Sequence, residues 1–397
     1  MHVPGFPSFS SPIAPMTPPS LSRPSAALRA AALLLVWLAA FAEGALAQEP
    51  PRILVGQSIA LSGGVGEHGQ LAAAGARLYV DGVNAAGGIG GRRIVVLTRD
   101  DAGDAKRAAE NTRELIDREG VVAMLGGVEG GPCVATLKEA SDRGVPLIAC
   151  MAGSPEMREP FNRWSFPVRA AHLDEFDHLL EIVKTYGYTR VAFVHADSDT
   201  GRKHLANVRR LAEPRGIAVA PIPMTAGTTP AALADALVAA RPDAVFNHGS
   251  YSVYVGIIRA ARAKGAHPMF MAVNSGAAQM ARELGPEGRG LVFTQVVPFP
   301  WGVAVPVVKE YQQALAKYAP DVAPSFSGLE GYVGAKVLVA GLRAAGRDLT
   351  RPGVQRAMEN LGTIDVGGMQ VRYRPGAHAG SAFVDTVIVA TDGRFSR

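Results

Sequence analysis

The chain is poor in cysteine, in charge and in long apolar runs, and each shortage excludes something. Only Cys133 and Cys150 occur among 397 residues, too few for a disulfide scaffold or a Cys-built zinc site. They can form one bridge at most; buried thiols are the expectation, because pairing needs Cα atoms within about 7 Å. Charged residues make up 19% against a usual ~25%. The formal net charge of +5 is spread without a like-charge block, so no nucleic acid is expected as partner. No apolar stretch reaches the ~20 residues that span a bilayer. The patterns G-x-x-x-x-G-K-[ST], H-E-x-x-H and G-x-S-x-G are missing, and the nine histidines show no metal-ligand spacing. No enzyme activity, no cofactor and no metal is expected.

What is present is an export signal followed by two rounds of α/β alternation. Arg23 and Arg29 precede an apolar run from Ala30 to Ala42, then the small-x-small site Ala45-Leu46-Ala47. Such a basic, apolar and small-residue order is a secretory signal, with cleavage expected after Ala47; Met16 offers an internal start that would give a signal of more usual length. Extended runs are predicted at 52–61, 92–98, 121–127 and 145–149, with helices between them. Asp104 is a plausible N-cap and Pro132 suits a first helical turn. The rhythm restarts with a helix over 173–186 and strands at 190–195, 217–222, 243–247 and 268–273. Residues 303–361 read as helices, and strands at 368–374 and 383–390 end the chain. Alternation of this kind builds parallel sheets covered by helices on both faces, and doing it twice implies two similar lobes.

Ligands of open parallel sheets sit beyond the strand C-termini, which directs attention to the loops there. Gly64-x-Gly66-x-x-Gly69 fits a dinucleotide fingerprint, but in so glycine-rich a chain it reads as a plain loop, and an exported NAD-dependent oxidoreductase is the weakest alternative. The turn Gly126–Pro132 brings the free N–H groups of Gly130 and Gly131 to a helix start, where an anion is favoured. The following loop, with Met151, Gly153 and Ser154, should line the same crevice. Of the aromatic residues near strand ends, Phe246, Tyr254 and Phe299 read as packing, whereas Tyr251 and Trp301 are candidates to cap an apolar ligand.

The run ALSGGVGEHGQLAAAGARLYVDGVNAAGGIGGRRI (60–94), the segment DDAGDAKRA (100–108) and the later strand order resemble the leucine/isoleucine/valine-binding proteins of ABC importers. The resemblance implies a type I periplasmic binding fold, two doubly wound parallel-sheet lobes joined by three crossing strands. It places residues 51–168 and 298–367 in lobe 1 and 169–297 and 368–397 in lobe 2, with crossings near Val168-Arg169, Val296-Val297 and Gly368-Met369. Ligand contacts carried over fall on His68, Gly130, Met151, Gly153, Thr200, Ser250 or Tyr251, and Asn274. The implied partners are a small amino acid or carboxylate, a membrane permease and its ATPase; the protein itself is expected to be a periplasmic monomer. Gly130 and Gly153 replace a serine and a threonine of the family, Thr200 replaces a tyrosine, and Asn274 replaces the acid that pairs with the ligand ammonium. Gly103 and Glu129 occupy the positions of the family's disulfide. These departures favour an acid with a modest apolar group as ligand, with Glu129 or Asp197 as substitute partners that keep branched-chain amino acids open. A ligand-sensing receptor module is the alternative function.

Overall fold

A run such as RILVGQSI has no polar face because both of its faces are covered: in β1 (Arg52–Ile59) everything from Ile53 onward except Leu54 is buried. The computed structural model describes Met1, residues 51–274 and residues 276–397; the expected export signal, Met1 aside, lies outside the described residues. β1 pairs in parallel with β2 (Arg93–Asp100) and β3 (Ala123–Leu125), and β4 (Leu147–Ile148) and β5 (Ser165–Phe166) continue the sheet in the order β2-β1-β3-β4-β5. The intervening helices are α1 (Gly66–Ala85), α2 (Ala105–Asp117) and α3 (Gly130–Asp142). Asp104 does cap α2, its carboxylate accepting from Arg107 N.

The second lobe repeats the pattern with β6 (Arg190–Ala196), β7 (Ala218–Met224), β8 (Ala244–His248), β9 (Met269–Ala272) and β10 (Val292–Gln295). Its parallel part runs β7-β6-β8-β9-β10, the same order as the first sheet. Helices α4 (His172–Thr185), α5 (Asp199–Ala212), α6 (Pro230–Ala240), α7 (Tyr251–Ala263) and α8 (Ala277–Leu284) cover it. The chain then supplies α9 (Pro306–Tyr318), α10 (Phe326–Ala345) and α11 (Arg351–Glu359), whose apolar faces join the first core. Among the described residues, no helix is long and apolar enough to cross a membrane.

The third crossing differs from the sequence expectation. β11 (Gly362–Asp365), β12 (Gln370–Arg374) and β13 (Ala377–Gly380) form a small antiparallel sheet, and Val371 and Tyr373 are buried with Phe166 and Val354 in the first core. Tyr373 donates to Pro167 O at 2.8 Å. Residues 368–380 thus stay with the first lobe, and the chain reaches the second sheet only at β14 (Asp385–Val389), antiparallel to β10 and followed by β15 (Phe395–Ser396). The alternation in GMQVRYR identified a strand but could not say which sheet it would join.

α10 lies almost wholly buried and crosses α1 closely. A Cβ at Gly331 would come 2.0 Å from Ala72 O, so no side chain fits without parting the helices. Gly331→Val is expected to destabilise the protein by about 1–3 kcal/mol, read as a lower midpoint of chemical denaturation; an unchanged midpoint would show that the two helices separate at little cost.

Candidate ligand-binding site

In each sheet the strand order reverses once, between β1 and β3 and between β6 and β8. Loops leaving adjacent strands diverge there, which opens a crevice at their C-terminal ends. The first such loop is organised by Asp100, whose carboxylate accepts from Leu61 N at 2.8 Å, Ser62 Oγ at 2.6 Å and Ala102 N at 2.8 Å. These bonds, the Ser62 hydroxyl first, hold its pKa down to about 2. A carboxylate depressed on folding contributes stability above its unfolded pKa and loses it as pH falls through the folded one. The loop is therefore expected to loosen between about pH 4 and pH 2, and Asp100→Asn should flatten that part of an acid titration followed by amide exchange at residues 61–65.

A cavity of about 690 Å³ lies between the lobes. His68 and Leu71 of α1 and Phe326 and Glu330 of α10 line it from the first lobe; Asn274, Arg282 and Gln295 line it from the second. Its aromatic wall is Phe299, Trp301, Phe326 and Phe395, with ring centroids of Trp301 at 5.0 Å from Phe299 and 5.5 Å from Phe326. His68 is tied to Ser327 Oγ at 2.7 Å. Burial first, then the nearby Arg169 charge, lowers its pKa to about 4, so at neutral pH it is an uncharged imidazole.

Beneath the cavity the Arg169 guanidinium, 4% exposed, holds three groups together. Nη2 donates to Glu175 Oε1 at 2.6 Å and to Asn274 Oδ1 at 2.8 Å, and Nη1 lies 3.8 Å from Glu330 Oε1. Glu175 also accepts from Asn274 N at 3.1 Å and from Thr294 Oγ1, and it meets His172 Nδ1 at 2.9 Å. Burial would raise its pKa, but Arg169 and His172 outweigh this and hold it near 2. Glu330 is different: burial pushes its carboxyl up against the pull of Arg169, and Oε1 has no hydrogen-bond partner. Glu330 is a cavity-lining acid that the sequence reading did not single out. The signal was there, the one carboxylate in a mostly apolar α10.

Of the expected ligand contacts, His68 and Asn274 line the cavity, and so does Trp301. Gly130, Gly131, Met151, Gly153, Ser154, Thr200, Ser250 and Tyr251 do not line it. Met151 bridges Val128, Gly131 is exposed at the start of α3, and Tyr251 packs its Cβ over Gly276. Thr200 Oγ1 donates to Glu156 Oε1 at 3.1 Å, and Ser250 pairs with Ser252 at 3.0 Å. The two missing hydroxyls have structural counterparts. A Cβ at Gly130 would lie 2.7 Å from Ser154 Oγ, and one at Gly153 would lie 2.7 Å from the His172 ring. Neighbouring side chains fill both places. Of the two substitute acids, Asp197 is exposed and paired with Arg202 at 2.9 Å. Glu129 is at φ +70° ahead of α3, its pKa raised by burial.

Cys133 and Cys150 form a disulfide with Cα atoms 6.0 Å apart, where buried thiols were expected. Adjacent parallel strands bring the start of α3 next to the end of β4, a proximity that sequence spacing does not reveal.

Two contacts bridge the mouth of the cleft: Glu67 of α1 with Arg282 of α8, and Glu156 with Lys203 of α5 at 2.9 Å. Exposed pairs contribute only about 0–1 kcal/mol each. Removing both with Arg282→Ala and Lys203→Ala should weaken ligand binding by about thirtyfold or less and make it less salt-dependent; calorimetric titration at two ionic strengths checks this.

The sequence profile described as "Periplasmic binding protein" matches residues 52–391. The leucine-specific-binding protein of Salmonella typhimurium is 28% identical over 268 residues, covering 64% of this chain and 69% of that protein. A substrate-binding periplasmic protein of Ralstonia solanacearum superposes with a TM-score of 0.77 at 30% identity, covering 86% of this chain and 99% of the other. A possible leucine/isoleucine/valine-binding protein of Rhodopirellula baltica gives 0.80 at 25% identity, covering 89% and 98%. Two parallel-sheet lobes of repeated strand order face each other across a cleft, and the chain belongs to the periplasmic binding protein family.

Proposed function

We propose that this protein is the exported substrate-binding component of an ABC importer and that its cargo is an α-amino acid with an apolar side chain, of branched-chain or aromatic type. The observation that carries the ligand class is Glu330, a buried carboxylate on the cavity wall whose Oε1 accepts no hydrogen bond and has Arg169 Nη1 only at 3.8 Å. A buried acid of this kind is stabilised by a cationic partner. A ligand ammonium at Glu330 would take over the pairing that Asn274, engaged with Arg169, does not offer. The aromatic wall would receive the side chain, and the cavity volume lies within the ~300–1,000 Å³ range of small-molecule sites. The ligand carboxylate would be met by the N–H groups at Gly130 and Gly131 with the Ser154 hydroxyl once the lobes adjust around it. The names of the leucine-binding relatives support the same class.

Contacts made to both lobes favour the closed state by their differential affinity, and a membrane permease with its ATPase would read that state. Calorimetric titration with leucine, isoleucine, valine and phenylalanine against their des-amino acids tests the ligand class. The amino acids should bind about 10- to 100-fold more tightly, the value of one hydrogen bond to a charged group, and Glu330→Gln should erase the difference. Equal binding of the des-amino acids would overturn the role of Glu330. Small-angle scattering should show compaction on ligand addition.

A further inference from the structure

Three histidines far apart in the chain converge at the point where the second sheet reverses its order. His172 opens α4, His204 lies one turn into α5, and His248 ends β8. Their ligand-capable atoms all lie within 4.8 Å of one another. Ring centroids are 4.0 Å apart for His204 and His248, 4.6 Å for His172 and His248, and 5.4 Å for His172 and His204. His204 is 1% exposed, and neither of its ring nitrogens has a hydrogen-bond partner; His248 Nδ1 is likewise buried and unsatisfied. Simple ring packing, for which Phe176 supplies edge contacts at 5.4 Å from His204, leaves those nitrogens unexplained, because buried polar atoms are rarely left without partners.

His172 adds the feature that distinguishes a metal site from a ring cluster. Its Nδ1 meets Glu175 Oε1 at 2.9 Å, so Nε2 is left to face the other two rings. A carboxylate behind a ligating imidazole is the usual support of such sites, where it fixes the ring and raises its basicity. Glu175 is itself held by Arg169 and Thr294. Charges around the cluster are balanced: Arg169 and Arg158 on one side are offset by Glu175 and Glu330, and Lys203 by Glu156. Glu156 keeps Oε2 buried and without a partner, while its Oε1 binds Thr200 and Lys203 on the helix that carries His204.

We propose that His172, His204 and His248 form a binding site for a divalent transition metal ion of the zinc class, with Glu156 or water as fourth ligand. Imidazole donors suit zinc, and bonds of about 2.0–2.1 Å would draw the ring nitrogens closer than the observed 4.8 Å limit and re-space the rings around the ion. The ion would tie α4 and α5 to β8 directly behind Gly153, which packs on the His172 ring, and so stiffen the ligand-facing end of the second lobe.

The test uses the tag-free mature protein after chelator treatment and dialysis, titrated with zinc chloride and, separately, with cobalt(II). One equivalent should bind with a rise in melting temperature, and cobalt should give the visible bands of a tetrahedral ion. His204→Phe and His248→Phe, which keep a ring in the cluster, should each weaken zinc binding by at least about 100-fold and abolish the rise. Failure of the unaltered protein to take up one equivalent would overturn the proposal. So would unchanged uptake in both variants, with circular dichroism reporting whether they fold. Amino-acid binding in the presence of chelator is read separately, so the metal site and the ligand assignment stand or fall independently.

Discussion

Arg169→Ala lowers the stability of the protein by about 3–5 kcal/mol, the cost of removing one partner of a buried ion pair and leaving the other uncompensated. Here the effect should lie at the upper end, because a single guanidinium serves Glu175, Asn274 and Glu330 at once. Without it, Glu175, 0% exposed, retains only neutral donors. Arg169→Lys should rescue little: one ammonium cannot span three acceptors in the planar geometry that a guanidinium fits. The double change Arg169→Met with Glu175→Met should recover part of the loss, since apolar replacement of a whole buried pair is often near neutral. Guanidinium denaturation of the four proteins checks this. A single variant as stable as the unaltered protein would mean that the acids become neutral at little cost.

The residue also couples stability to function. It stands where the chain passes from the first lobe to the second, immediately before α4, and Arg158 of the first lobe donates to its carbonyl at 2.7 Å. Loss of Arg169 should therefore weaken ligand binding beyond the fraction unfolded. The KD measured under conditions where the variant is fully folded separates the two effects.

Replacing Cys133 and Cys150 by serine is expected to cost about 3 kcal/mol, the loop-closure value for a cross-link of roughly this span; the two cysteines are 17 positions apart. Both sulfurs sit in the core formed with Leu137, Met124 and Met157, so reductant should act only as the protein opens. The bridge also braces the turn proposed to meet the ligand carboxylate. Gly127, at φ +101°, packs directly against both sulfurs, and the bridge joins the start of α3 to the segment that leads into Met151–Ser154. The serine variant should bind ligand more weakly as the turn at 126–131 loosens. An unchanged denaturation midpoint together with an unchanged KD would show the bridge to be dispensable.

The alternation of buried runs and amphipathic helices was enough to recognise two α/β lobes, because burial on both faces leaves its mark on most residues of β1 and β6. Some short strands were not legible. β5 and β15 have two residues each and β10 has four, too few to establish a period, and they become strands only because a neighbour presents an open edge. Trp301 was singled out from its position near a strand end, and His68 and Asn274 from the family resemblance. Glu330 was not, since a carboxylate on an apolar helix shows its importance only once that helix is seen to form a cavity wall. The histidines at 172, 204 and 248 follow no spacing rule, as they come from three different elements of the second lobe.

The sequence by itself determined the class of fold, the repeated lobe and the strand ends at which a ligand would be sought, because these depend on local period and on the geometry of parallel sheets. Tertiary structure decided which sheet β12 joins, that the two cysteines pair, and that Glu330 stands buried on the cavity wall. Each of these depends on distances between segments far apart in the chain, and such distances are set by packing rather than by spacing.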